Sequence, residues 1–350
     1  MKFLIVSDAT KFALTDVYNG YKHALKQLGI PYQSFPYHNF REIVSDKSSW
    51  HTIHSEALIK SNEVTHIMFI GGLSVPEFIL DSLYHIKSVV IATEDPHSFD
   101  PLKKKLEKID YYFSNEKSIG DSGKYPNVYY CPTAGSEDEC GRIPADRLDE
   151  KYRSDILFLG ALYPNRRKLL ESVIPFVKKN KLSMKICGHV RYMPKSSPLW
   201  EYVFDQRTIP HDETVMYYNG AKISINILRD IKWNPKTKSQ KNPHNKSRFI
   251  GVSLNPRAYE VPLCQAFMLL EDTREEAREI FTENEVGFFS DEKSLIKQLR
   301  YYLLGPGKEL RDKMAFEAYK KVAQEHTYTH RMLFIKNILE KTENIGKNLP

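Results

Sequence analysis

Short apolar runs bounded by turn residues alternate along the chain with segments of helical period, the pattern of a parallel α/β architecture. In the first half FLIVS (3–7), HIMFIGG (66–72), SVVIAT (88–93), YYFS (111–114) and VYYCP (128–132) read as strands. NGYKHALKQLG (19–29) sets Tyr21, Ala24, Leu25 and Leu28 on one helical face and stops at Gly29. From Gly135 to Arg153 the periodicity vanishes and charge accumulates, as expected of an interdomain linker. The second half restarts the alternation with DILFLGAL (155–162), a helical NRRKLLESVIPFVKKN (165–180), MKICG (184–188), KISINIL (222–228), LNPRAYEVPLCQAFMLLED (254–272) and VGFFS (286–290). Helical stretches at 294–304, 308–326 and 328–342 close the chain. The expected fold is α/β, with two Rossmann-like domains facing across a cleft. Residues 1–150 form the first domain with its linker, 151–326 the second, and 327–350 a helix returning toward the first. Parallel sheets bind ligands at the carboxyl ends of their strands, so the strand-end residues are the ones to search for chemistry.

Length and composition fit this division. A chain of 350 residues exceeds the usual single core and suits two domains of about 150 residues each. Four cysteines (Cys131, Cys140, Cys187, Cys264) show neither C-x-x-C nor zinc spacing and read as reduced thiols. MKFLIVSD meets a polar turn too early for a signal peptide, and no apolar run reaches the roughly 18 residues that span a bilayer, so a cytoplasmic location is expected. The formal charge of +7 permits an anionic ligand or partner without requiring nucleic acid.

Three strand ends and one long loop carry candidate chemistry. Arg257 and Glu260 precede the apolar run around Cys264, Phe267 and Leu269, where a guanidinium suits an anion and a carboxylate suits paired hydroxyls. Gly160 ends a strand and opens a turn into a helix bearing Arg166 and Arg167, a second anion site. Cys187 and Gly188 end the next strand, where a glycine lets a ligand approach the backbone. In TEDPHSFD (93–100), Glu94, Asp95 and His97 follow an apolar strand, and any of the three can serve as a general base. The loop DIKWNPKTKSQKNPHNKSRF (230–249) holds Lys232, Lys236, Lys238, Lys241, Lys246 and Arg248 against one carboxylate, Asp230. Each pattern also has a structural reading: a first-turn carboxylate stabilises a helix, a basic helix face is solvated, and Asp-Pro makes a turn.

The span Arg257 to Glu271, with EHTYTHRM (325–332), resembles the C-terminal domain of CgeB-like glycosyltransferases, a GT-B group named for spore maturation proteins. TEDPHSFD, YYCPTAGSEDE (129–139) and DILFLGALYPNRR (155–167) extend the resemblance over most of the chain, in order. A fainter similarity, G-x6-R followed downstream by R-x-x-E, is to phage DNA β-glucosyltransferases.

The resemblance implies a nucleotide-sugar donor, expected to be UDP-linked, bound by the second domain, with an acceptor hydroxyl of a glycan or glycoprotein on the side of the first. Under it Glu260 holds the ribose hydroxyls, Arg257 and Arg167 face the diphosphate, and Gly160, Gly188 and Asn255 complete the donor site. Glu94, Asp95 or His97 takes the acceptor proton, while Lys241, Lys246 and Arg248 belong to an acceptor contact or lid. Gln265 stands where the wider fold group commonly has glycine, and Val252 where some retaining enzymes carry a first glutamate; an inverting reaction is therefore expected. No strand-flanked D-x-D is present, so no metal and no cofactor beyond the donor are expected. The alternatives are a phage-type enzyme acting on a hydroxymethylated DNA base and a nucleotide-sugar-binding protein without catalysis.

Overall fold

The computed structural model describes residues 1–7, 15–35, 51–52, 55, 63–72, 75–83, 85–230 and 244–347, with side chains as far as residue 344. The chain divides into two compact units, Met1–Ser136 with His244–Gly251 and Thr327–Pro350, and Glu137–Pro243 with Val252–His326.

The first unit is built on six parallel strands: β1 (Phe3–Ser7), β2 (Tyr32–Phe35), β3 (His66–Ile70), β4 (Lys87–Ile91), β5 (Tyr111–Ser114) and β6 (Val128–Tyr130), in the order β2-β1-β3-β4-β5-β6. Because side chains alternate across a strand, both faces are apolar. Phe3, Ile5, Met68, Ile70, Val89, Ile91 and Phe113 fill one face, and Leu4, Val6, Ile67, Phe69, Val90 and Tyr112 the other. The helices Thr15–Gln27 and Tyr328–Lys347 cover the first face, with Tyr21 and Tyr328 rings 5.1 Å apart. Gly20 makes that crossing possible, since a Cβ there would stand inside the Tyr328 ring.

The second unit repeats the plan with β7 (Ser154–Leu159), β8 (Met184–Cys187), β9 (Val203–Asp205), β10 (Ala221–Asn226), β11 (Met268–Glu271) and β12 (Gly287–Phe289), in the order β12-β11-β10-β7-β8-β9, again parallel throughout. Ile156, Phe158, Ile186, Ile223, Ile225 and Leu269 face one core; Leu157, Cys187, Met268, Leu270 and Phe288 face the other. The four cysteines are buried and free. Among the described residues no helix is long and apolar enough to cross a membrane.

Two boundaries differ from the sequence expectation. The stretch from Glu137 to Arg153, expected as a linker, belongs to the second unit. Asn219 fastens it by accepting from Ile143 N–H (2.8 Å) and donating to Gly141 O (2.9 Å), and Cys140 is buried in that unit's core. The end of the basic loop, His244–Gly251, belongs to the first unit instead. Phe249 packs edge-on against Phe99 at 5.3 Å, and Asp100 accepts from Ser247 Oγ (2.7 Å) and from the Lys246 amide. Burying a Phe ring contributes roughly 1.5–3 kcal/mol and a hydrogen bond to a charged group a comparable amount, so the ring and the carboxylate together hold this segment.

Candidate functional site

In the second unit the strand order reverses between β7 and β10, where connections leave in opposite directions and open a crevice at the carboxyl ends. Several of the expected residues meet there. Gly160, just past β7, has φ +140°, and Gly188, just past β8, has φ +127°. A side chain is strained at both by these angles, and a Cβ on Gly188 would also lie 2.7 Å from Gly160 O, while one on Gly160 would lie 2.9 Å from Arg257 Cζ and push the guanidinium aside. The guanidinium of Arg257 is thus laid against the Gly160 turn. Asn255 exchanges two hydrogen bonds with Asn226 at the end of β10, both 2.9 Å, which ties the segment bearing Arg257 to the sheet.

Arg166 joins this group. It is 4% exposed on the helix Pro164–Lys179 and donates Nη1 to Ala161 O at 3.1 Å, while its Nε has no partner among the described residues. Burial drives its proton affinity well below that of an ordinary arginine; Arg257 adds to this, as do Arg229 and Arg274, and Tyr163 opposes it. Arg229 lies 4.6 Å over the Tyr163 ring and Arg166 5.4 Å from it. Arg274 donates Nη2 to Arg229 O at 2.9 Å and also bonds Ser253 O. The carboxylate facing the cluster is Glu271, which accepts from Leu228 N–H at 2.6 Å; burial raises its pKa against the pull of Arg166 and Arg274. A guanidinium cannot shed its proton at neutral pH, so Arg166 and Arg257, with Arg229 and Arg274 near them and Glu271 opposite, concentrate positive charge at these strand ends, which suits an anion.

Arg167, by contrast, gives Nη1 to both oxygens of Glu171, at 2.9 and 3.0 Å. Adjacent arginines on a helix point about 100° apart, and the structure turns Arg166 rather than Arg167 into the cluster. Glu260 is 7% exposed on the helix Arg257–Leu263 and accepts from Tyr218 Oη at 3.3 Å.

In the first unit, Glu94, Asp95 and His97 follow β4. Asp95 is 4% exposed, and its Oδ2 accepts from Tyr112 Oη at 2.8 Å and Ser114 Oγ at 2.7 Å. Its backbone is clamped by Asn115, which accepts from Asp95 N–H and donates to Asp95 O, both at 3.0 Å. Burial pushes the Asp95 pKa up to about 7; the Ser114 and Tyr112 bonds oppose the rise, and Glu116 and Glu94 add to it. His97 is buried and Glu94 is exposed. The three candidates that the sequence left equivalent are therefore distinct: one carboxylate points inward, the other outward. Lys246 and Arg248 are exposed in the first unit, and Lys241 lies outside the described residues.

Sequence reasoning missed Arg229, Arg274, Tyr112 and Asn115. Arg229, Arg274 and Asn115 follow closely on strands, so strand-end position was the signal available for them; Tyr112 lies inside β5 and offered no such signal.

Residues 166–337 match the family model described as glycosyl transferase-like. Spore protein CgeB of Bacillus subtilis (strain 168) is 29% identical over 192 residues, 51% of this chain; the match spans 54%, about half, of that relative's length. Among solved structures, sucrose-phosphate synthase from Thermosynechococcus elongatus superposes with a TM-score of 0.61 at 10% identity, covering 99% of this chain and 100% of that one. Anabaena Alr3699/HepE in complex with UDP and glucose gives 0.60 at 9% identity, covering 97% and 100%. A glycosyltransferase from Rickettsia africae ESF-5 gives 0.59 at 12% identity, covering 99% of each. At such identities the superpositions establish the fold, two six-stranded parallel sheets of GT-B type. Residues 166–337 are thus similar to the glycosyl transferase-like family, about half of the chain is similar to spore protein CgeB, and the chain as a whole has the GT-B fold.

Proposed function

We propose that the protein transfers a sugar from a nucleoside diphosphate, UDP in the first instance, to an acceptor hydroxyl, with inversion and without a divalent metal. The observation that carries this reading is the arginine cluster at the β7/β10 reversal, with Arg257 against Gly160 and Arg166 buried beside it. A diphosphate brings about two negative charges, which suits the positive charge of Arg166 and Arg257 and offsets the repulsion that Arg166 meets from the neighbouring guanidiniums.

In this reading the acceptor oxygen attacks the anomeric carbon while the bond from that carbon to the diphosphate oxygen breaks. The electron pair leaves with the nucleoside diphosphate. Charge grows on the leaving oxygen in that step, and Arg166 and Arg257, already fixed, stabilise it as a cation would. Glu260 receives the ribose hydroxyls. Glu94 takes the acceptor proton, being the exposed carboxylate of the turn, and Asp95 holds the turn in place through Tyr112, Ser114 and Asn115. UDP as the nucleotide is supported by the complex of HepE with UDP and glucose.

The test is a thermal-shift series with UDP, GDP and UDP-glucose in EDTA, followed by an assay of UDP release from the bound donor. Stabilisation by UDP and release of UDP in EDTA are expected. No stabilisation by any nucleoside diphosphate sinks the reading; stabilisation without release at any acceptor or metal concentration leaves a nucleotide-sugar-binding protein.

A further inference from the structure

Outside the donor site the first unit carries a concentration of uncompensated positive charge. Lys103 and Lys104 at the end of the helix Phe99–Lys103, Lys124, Lys246 and Arg248 are all exposed. None of the five forms an ion pair among the described residues. Contacts draw them into one face: Lys103 Nζ is 3.5 Å from Ser247 Oγ and 5.8 Å over the Tyr125 ring, and Lys124 Nζ is 4.9 Å over the Phe249 ring. Some exposed lysines elsewhere are paired, Lys108 with Glu77 and Asp81, Lys178 with Glu201, Lys222 with Asp155; others, such as Lys179, Lys181 and Lys195, stand without an ion pair among the described residues but lack the contacts that draw Lys103, Lys124 and the Lys246–Phe249 segment together.

Asp100, which adjoins Lys246 and Ser247, takes neutral donors rather than a lysine or arginine head group. It turns into the backbone and accepts from the Lys246 and Ser247 amides and from Ser247 Oγ. Glu116 is engaged by Ser118 N–H, and Asp110 by Lys87 and Ser88. Ile250, at the end of the same segment, is 61% exposed, and its carbonyl accepts from Ser118 Oγ at 2.6 Å, which fixes the apolar side chain's backbone beside the charges.

We infer that this face of the first unit binds nucleic acid. Clustered unpaired lysines and an arginine suit a chain of phosphates, because each neutralised phosphate releases a condensed counterion. The exposed isoleucine among them suits a polyanion that also offers flat apolar faces, which nucleobases do and a polyol phosphate does not. The inference goes beyond the transfer chemistry and holds or fails independently of it, since these residues belong to the first unit and the arginine cluster to the second.

Fluorescence anisotropy of the full chain with a labelled 20-mer, single-stranded in one arm and duplex in the other, tests it. Binding is expected to weaken steeply with salt. The triple variant Lys103→Gln/Lys104→Gln/Lys124→Gln should bind at least about 10-fold more weakly and flatten the log–log salt slope by about 2 to 3. An equal loss of charge in the second unit, Lys179→Gln/Lys181→Gln/Lys195→Gln, should change affinity by less than about 2-fold, which separates a defined surface from the overall charge. Equal effects of the two triples overturn the inference. So does a polyol-phosphate polymer, or an anionic vesicle, that competes as well as the oligonucleotide at equal phosphate. The UDP thermal shift of each variant, measured alongside, should match the parent; it reports folding and the donor site separately from this surface.

Discussion

The guanidinium of Arg257 occupies the space that a side chain on Gly160 would need, with a Cβ at Gly160 only 2.9 Å from Arg257 Cζ. The two residues are far apart in sequence and form one surface at the β7/β10 reversal. Gly160→Ala must displace Arg257 and also adopt φ +140°, which side chains avoid. Donor affinity should fall by about 10-fold or more, the loss of one charge-assisted contact, and calorimetry with UDP measures it. Full affinity in Gly160→Ala would mean that Arg257 does not meet the diphosphate.

Arg166 and Arg167 are neighbours with different partners, Ala161 O for one and Glu171 for the other. Arg166→Gln and Arg257→Gln should each lower kcat by on the order of 10²-fold, because charge on the leaving diphosphate peaks in the transition state. Arg167→Gln should change kcat by less than about 3-fold, the scale of a part-exposed i,i+4 pair. The ranking is read from initial rates of UDP release at saturating donor. A larger loss in Arg167→Gln than in Arg166→Gln reverses the assignment.

The sequence told these two arginines apart no better than it told Glu94 from Asp95. Apolar alternation made ten of the strands legible, because buried strands such as FLIVS and DILFL need apolar residues on both faces. Tyr32–Phe35 and Val203–Asp205 escaped notice as edge strands, short and half-exposed, so their residues need not be apolar. The direction of a side chain at a strand end or in a helix's first turn depends on which neighbour reaches it. Asn115 and Tyr112 decide the orientation of Asp95 from another strand, and Arg274 enters its cluster across 45 positions from Arg229. Periodicity carries no record of such encounters.

Glu260 lies buried with one oxygen on Tyr218 Oη. A carboxylate accepting from both ribose hydroxyls contributes about 1.5 to 3 kcal/mol, the range for hydrogen bonds to a charged group. Glu260→Ala should weaken UDP binding by that amount while leaving the unfolding midpoint within a few degrees of the parent. Unchanged affinity for UDP in calorimetry removes Glu260 from the ribose.

Asp95 makes stability depend on pH in a predictable direction. Its folded pKa of about 7 stands above the ordinary 3.8, so between these values the folded state holds a proton that the unfolded state has lost. Stability from this group is fully present below about pH 4 and falls as pH rises toward 7, by on the order of 4 kcal/mol for a shift of about three pH units. Asp95→Asn keeps the shape and removes the ionisation. Urea unfolding of parent and variant at pH 5 and pH 8 should show the variant losing much less stability between the two. Parallel losses would mean that Asp95 titrates normally.

Glu94 and Asp95 divide the work of the turn if the exposed carboxylate is the base and the buried one its support. Glu94→Gln retains the side chain's size and loses its basicity, so transfer should drop by on the order of 10²-fold or more, within the range for general-base removal, with UDP affinity unchanged. Asp95→Asn should act differently, because an amide still accepts from Tyr112 and Ser114: partial activity should remain, and its pH–rate profile should keep the parent's shape. A single displacement assisted by such a base inverts the anomeric centre. From an α-linked donor the product should therefore be β, as read from the anomeric proton coupling by NMR. An α-linked product, or a Glu94→Gln variant with full turnover, would leave the exposed carboxylate with no part in the reaction.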